Sequence, residues 1–197
     1  MATFGGPADW WTDGTDAGRK HIATKGIVQN GLVLNLDAGV SDSYTGSGNT
    51  WSDLSGNGNN GTLTNTSATP LDSGNGGSLV FDGVNDYISL STVTLNRANS
   101  TVSSWLNISD FSTGKTSTGR VWIRNTSSNI NQLVAFYNGG YSFEVSTNSN
   151  PHEINNRTSG NVSSSDISTN SWFHFCLVFL SNTFYGYVNG NQTGTGA

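Results

Sequence analysis

A chain of 197 residues with 34% hydrophobic and 11% aromatic content holds enough apolar mass for one domain of ordinary size plus some extra length, not for a second core. Charged residues supply only 11%, against about a quarter in typical globular chains; Ser, Thr, Asn and Gly carry most of the remaining polarity, which favours turns and short strands over helices. The net charge of -5, with eight Lys and Arg spread along the chain and no basic run longer than Arg19–Lys20, leaves no electrostatic footprint for nucleic acid.

Residues 1–30 differ in character from the rest of the chain. "GGPADWWTDGTDAGRKH" joins a Gly-Gly-Pro breaker, adjacent tryptophans and mixed charge without a sustained period, which reads as an extended arm with one short helical turn near Thr15 to His21. The arm lacks the basic and apolar regions of a secretory signal. Trp10 and Trp11 carry apolar area that is costly to leave in water, so the arm is expected to dock on its own domain or on a partner.

From Gly31 the pattern alternates with period two. "GLVLNLDAG" puts Leu32, Leu34 and Leu36 on one face, and "SLVFDG", "DYISL", "TVSSWLNI", "RVWIRN", "QLVAFYN", "YSFEVS", "SWFHFCLVFL" and "TFYGYVNG" come after it as strand candidates. The links between them, such as "SGNGNNG", "DSGNGG" and "NGNQ", supply the Asn and Gly that tolerate positive φ in tight turns. Residues 55–61, with three Gly and three Asn, predict a sharp backbone-dominated loop. "SWFHFCLVFL" is apolar on both faces and reads as a central strand covered on both sides, turning through "SN" into a hairpin with "TFYGYVNG". The expected fold is all-β, with two packed antiparallel sheets. No apolar run reaches bilayer-spanning length, so membrane insertion is not expected.

"GLVLNLDAG", "TWSDLSGNGNNGTLTN", "GGSLVFDGVNDYISL" and "SWFHFCLVFLSNTFYGYVNG", in this order and spacing, resemble the laminin G-like group of concanavalin A-like lectin/glucanase domains over residues 31–190. The "LDAG", "DLSGNGNNGTL" and "FDG…DY" variant is similar to modules of tailed-phage structural proteins, particularly marine ones, and of bacterial surface proteins. The resemblance implies a two-sheet antiparallel jelly-roll sandwich over residues 31–197, behind the arm of residues 1–30. It also implies two further strands past the "VNG" turn, so this sandwich is expected to lack its last strands, through truncation or completion by another chain. Function is not implied by this fold, which hosts lectins, glycosidases, adhesins and spacers.

Glycosidases need two carboxyl groups about 5 to 10 Å apart. The chain has two glutamates, Glu144 and Glu153; the same-face neighbours of Glu144 are Ser142 and Ser146, and the Glu-x-Asp-x-x-Glu strand of the fold's glucanases is absent. Enzymatic activity is therefore not expected. His174 and Cys176 share a strand face among apolar neighbours and read as core packing, while His21 and His152 stand alone, so zinc has no support. Cys176 is the sole cysteine, which excludes an internal disulfide.

A hard cation finds oxygen donors on turning backbone at Asp53, Asn57, Asn59, Asp82 and Asp86, which makes calcium the candidate ion; the competing reading is that Asp53 and Asp82 cap turns. Aromatic residues on or beside loops, Trp51, Tyr87, Trp122, Tyr137 and Tyr141, are candidates for a sugar platform. The resemblance, joined to this composition and the missing export sequence, implies as the expected function a non-enzymatic virion structural protein of a tailed phage, a head decoration, fibre or tail component. Its arm would join capsid or tail proteins or copies of itself, and its sandwich would meet cell-surface glycans. A chain built like an exported adhesin without an export sequence fits release by particle assembly and lysis. The alternative is a carbohydrate-binding module of a bacterial secreted or surface protein.

Overall fold

Alternation of small polar and apolar residues, broken at six places by Asn-Gly pairs, leaves short antiparallel strands as the main way to pair this backbone. The computed structural model describes residues 27–90, 93, 99–109, 120–125, 130–137, 140–146, 160–162, 167–181 and 183–196; from 120 to 162 it gives strand course and pairing only. The expected arm, with Trp10, Trp11 and His21, lies outside the described residues as far as position 26. Among the described residues all regular structure is β, apart from one 3-10 turn at Gly74–Gly76. The chain divides into two compact units, Met1–Val93 and Thr94–Ala197.

In the first unit, β1 (Thr50–Trp51), β2 (Gly61–Thr64) and β5 (Tyr87–Leu90) form a three-stranded antiparallel sheet, and β3 (Leu71–Asp72) pairs with β4 (Ser78–Leu79). The registers Trp51 to Gly61, Gly61 to Leu90 and Leu63 to Ile88 place these residues on one face, where Leu63 is buried. Ala38, Val40 and Tyr44 are buried as well. The Tyr44 hydroxyl keeps its hydrogen bond by donating to the Gly48 carbonyl at 2.9 Å.

The expected strand in "GLVLNLDAG" does not form a ladder. Its alternation survives, with Leu32, Leu34 and Leu36 half-buried and Val33 exposed, but Asn35 is buried on the opposite side and residues 32–37 carry no strand pairing. The reason is local: the backbone groups of this segment are taken by side chains of the loop at residues 53–59. "SLVFDG" is shorter than expected too, since only Ser78–Leu79 pairs and Val80 and Phe81 are exposed. Just before it, Gly77 and Gly39 approach so closely that a Cβ at either would strike the backbone on the other side.

The second unit contains β6 (Asn99–Asn107), β7 (Arg120–Asn125), β8 (Ile130–Tyr137), β9 (Gly140–Ser146), β10 (Gly160–Val162), β11 (Trp172–Leu180), β12 (Thr183–Val188) and β13 (Asn191–Gly196). They form two four-stranded antiparallel sheets, ordered β10-β9-β8-β7 and β13-β12-β11-β6, with β10 running beside β13. The strand β13 comes after the Asn189–Gly190 turn, beyond the last strand that the sequence pattern suggests. Both turn residues have positive φ, 48° and 81°, the backbone an Asn-Gly hairpin turn requires.

β11 is central, as expected, and pairs with β6 without a break from Trp172 opposite Asn107 to Leu180 opposite Asn99. It is not covered equally on both sides. Phe173, Phe175, Leu177 and Phe179 are 3% exposed or less, and burying each such side chain contributes about 1.5–3 kcal/mol. The opposite face, carrying Trp172, His174, Cys176, Val178 and Leu180, is half-buried to exposed. His174 and Cys176 are thus not core residues, because period two puts them on the face that the four deeply buried side chains leave behind.

Candidate functional site

Two places gather the residues that could bear function: the loop around Asp53 and the half-exposed face of β11 and its neighbours. In the loop, Asp53 Oδ1 accepts the N–H groups of Asn35 and Ser55, both at 2.9 Å, while Oδ2 accepts the Asn59 N–H at 3.0 Å and the Ser55 hydroxyl at 2.7 Å. The Asp53 N–H in turn donates to Asn60 Oδ1 at 2.9 Å. Asn57 Nδ2 donates to the Leu32 carbonyl at 2.9 Å, and Asn59 Nδ2 to the Val33 carbonyl at 2.8 Å. Gly56 and Gly58, with φ of 87° and 72°, let the chain turn sharply enough to aim these side chains. The permissive residues therefore make a clamp across residues 32–35, and the Leu54 N–H donates to the Asn35 carbonyl at 2.8 Å to complete it.

Burial pushes the Asp53 carboxyl upward, but the hydrogen bonds from Asn35, Ser55 and Asn59 outweigh this and hold it below its ordinary value of 3.8. Donors facing both carboxylate oxygens are the arrangement of a turn cap. A cation site turns several oxygens toward one point instead. Asp82 and Asp86 form a second, separate turn: Asp86 Oδ2 accepts the Asp82 N–H at 2.9 Å and Asp82 Oδ1 accepts the Val84 N–H at 2.8 Å, while Asp86 Oδ1 is buried without a partner. Among the described residues no three His, Cys, Asp or Glu side chains gather as a metal site needs.

The second place is the face that the strand registers of β6, β11, β12 and β13 bring together. His174 lies opposite Trp105, Trp172 opposite Asn107, Cys176 opposite Tyr187, and Tyr187 opposite Gln192. Trp105 is 63% exposed and Trp172 37%, both unusual for so large an apolar ring. The His174 ring flanks Trp105 with centroids 5.2 Å apart and planes tilted by 49°. His174 is itself fixed: its N–H donates to Asn189 Oδ1 at 3.0 Å and its carbonyl accepts the Asn189 N–H at 2.8 Å. Burial holds its imidazole below the ordinary value of 6.5, which favours the neutral ring. Burial raises the Cys176 thiol, which keeps it protonated and a poor nucleophile.

Of the aromatic residues singled out in the sequence, Tyr87 is exposed and Trp51 half-buried, and the side chains of Trp122, Tyr137 and Tyr141 lie outside the described residues. Glu144 sits on β9 opposite Leu133, its side chain undescribed, and Glu153 and His152 fall outside the described residues. Trp105 and Trp172 are not among those candidates. A signal for Trp105 exists all the same: in "TVSSWLN" the positions alternating with Val102, Ser104 and Leu106 are Thr101, Ser103, Trp105 and Asn107, a tryptophan on an otherwise polar face.

An all-β, antiparallel chain with an aromatic and amide sheet face fits a lectin-like sandwich. Residues 82–197 match the family model of the concanavalin A-like lectin/glucanases superfamily, and the chain belongs to that superfamily. The match covers β5 to β13 and includes the whole face around Trp105. No curated protein and no solved structure matches the chain.

Proposed function

We propose that the protein is a non-enzymatic adhesion component that uses its lectin-like domain to hold glycans on a surface. The observation that carries this reading is the exposed Trp105 ring, steadied by His174 on a sheet face bordered by Asn107 and Gln192. An indole offers an apolar plane for the C–H face of a pyranose, and neighbouring amides supply hydrogen bonds to its hydroxyls. A steadied ring loses little freedom on binding, which favours weak but usable affinity.

The setting we propose is a tailed-phage virion, as a head decoration, fibre or tail part, with residues 1–30 joining capsid or tail proteins or copies of the same chain. The Ser-, Thr-, Asn- and Gly-rich, charge-poor composition and the paired Trp10 and Trp11 support it. The alternative, a carbohydrate-binding module of a bacterial secreted or surface protein, draws on the same aromatic face. Lack of catalysis is supported by the two glutamates, of which Glu144 has Ser142 and Ser146 as strand neighbours on its face. Screening the purified chain on a glycan array, and seeking it by mass spectrometry in purified phage particles, tests both halves. Glycan binding with the chain absent from particles would favour the module, and turnover of a polysaccharide lost in Glu144→Gln would sink the non-enzymatic reading.

A further inference from the structure

We infer that the Trp105 face takes an uncharged saccharide chain, with Trp105 and Trp172 as neighbouring stacking surfaces, Asn107 as the exposed amide beside them and Gln192 as an exposed amide three strands away on the same sheet face. This rests on the adhesion reading and narrows its ligand class. The strand registers assign each residue to a face, and the face shared by Trp105, His174 and Tyr187 carries no Asp, Glu, Lys or Arg among its described residues on β6, β11, β12 and β13. Sulfated, sialylated or uronic-acid glycans would lose hydration of their charges here and gain no cation from the described residues of these strands, which is unfavourable. A neutral pyranose loses only hydroxyl hydration, which amides, tyrosine hydroxyls and backbone groups can replace.

The aromatic residues are also placed to work together. Trp172 and His174 are two positions apart on β11 and project from the same face, and Trp105 stands directly across from His174 on β6. Trp105 is therefore diagonal to Trp172, at about 7–8 Å between backbones, close enough for both rings to serve one chain of sugars. The Asn189–Gly190 turn fixes the end of the patch, because Asn189 bonds both backbone groups of His174. Exposed Ser103 and Asn107 beside the two exposed indoles distinguish this end of the face from a purely apolar docking surface, while Val178 and the exposed Leu180 lie toward its other end.

The test uses the full chain, with neutral hexasaccharides of β-linked glucose or galactose and, in parallel, sialylated and uronic-acid oligosaccharides, followed by calorimetry and tryptophan fluorescence. The expected result is binding of at least one neutral series that changes little when salt is raised to about 0.5 M, because no ion pair is screened. Trp105→Ala should weaken it at least tenfold, with unchanged circular dichroism since the ring is exposed, and Trp105→Phe should recover part of the loss. Tighter binding of an anionic series, or neutral binding unaffected by Trp105→Ala, overturns the ligand class while leaving adhesion standing. Binding of no saccharide from either series overturns both. Trp105-dependent self-association that blocks sugar binding shows a second copy of the chain as the occupant and likewise overturns the inference.

Discussion

The carboxylate of Asp53 holds the backbone of Asn35 from 18 residues away, its Oδ1 accepting the Asn35 N–H at 2.9 Å while the Asn35 carbonyl accepts the Leu54 N–H at 2.8 Å. A segment that would otherwise pair with a strand is thus satisfied by one side chain and its neighbour. Removing that side chain leaves the N–H groups of Asn35, Ser55 and Asn59 without their acceptor, and the ones that water cannot reach carry the cost. Asp53→Ala is expected to destabilise the protein by about 2–4 kcal/mol in urea unfolding, and Asp53→Asn by less, since one oxygen remains.

The same carboxylate gives a pH dependence. Its folded value is depressed, so the unfolded chain takes up a proton at higher pH than the folded one. The Asp53 contribution is fully present above its ordinary value of 3.8 and is lost as pH falls through the folded value. Thermal melts of the protein and of Asp53→Asn should accordingly differ most near neutral pH and converge as pH falls through the folded value, which lies below 3.8. A gap that stays constant down to acid would show that Asp53 acts without its charge.

Chelator should leave the melting temperature where it is. Both Asp53 oxygens already accept N–H or O–H donors, and Asp82 and Asp86 are spent largely on their own turn. If calcium holds either loop, removing it withdraws stabilisation that obeys mass action, and the melting temperature should drop by several degrees and recover on adding the ion. Differential scanning fluorimetry with and without chelator decides between the two.

Close backbone approach sets a further cost. A Cβ at Gly77 would lie 2.5 Å from Gly39 Cα, and one at Gly39 would collide with the Gly76 carbonyl oxygen, so neither residue can carry a side chain without moving the backbone facing it. Gly77 also holds φ at 103°, a region that side chains rarely adopt. Gly39→Ala should cost about 3 kcal/mol, or roughly 6–12 °C in melting temperature for a chain of this size. Gly74→Ala is the comparison, because its added methyl would meet only the Asp72 side chain; an equal loss there would show that general turn effects, not the close approach, set the cost.

How far the fold is readable from the sequence depends on which interactions are local. The strands "RVWIRN" and "SWFHFCLVFL" announce themselves by composition and period, and both form as expected, β7 at Arg120–Asn125 and β11 at Trp172–Leu180. "GLVLNLDAG" has the same period but forms no ladder, because its hydrogen-bond partners come from Asp53, Ser55, Asn57 and Asn59, and no periodicity reports a side chain reaching over 18 or more residues. The exposed state of Trp105 is hidden for a related reason. Alternation gives its face on β6 but not which face the buried phenylalanines of β11 claim, and that choice leaves His174 and Trp105 outside.

The tryptophans of the arm lie outside the described residues and are read from the sequence alone. In "GGPADWWTDG" Trp10 and Trp11 are adjacent in sequence between Gly-Gly-Pro and Asp-Gly, a composition expected of an extended segment. Burying two such rings against a neighbouring subunit would contribute several kcal/mol, at about 25 cal/mol per Å² of apolar area, before association costs. Adjacent residues on an extended chain point to opposite sides, so two partner surfaces, or a groove that closes over both, are needed to cover them. The double variant Trp10→Ala, Trp11→Ala should keep the melting temperature and saccharide binding of the full chain yet fail to join particles or its own oligomers in sedimentation. Removing residues 1–25 should have the same effect. Unchanged assembly, or a loss of melting temperature in the double variant that matches a core deletion, would show the rings packed within their own domain and would end the attachment proposal.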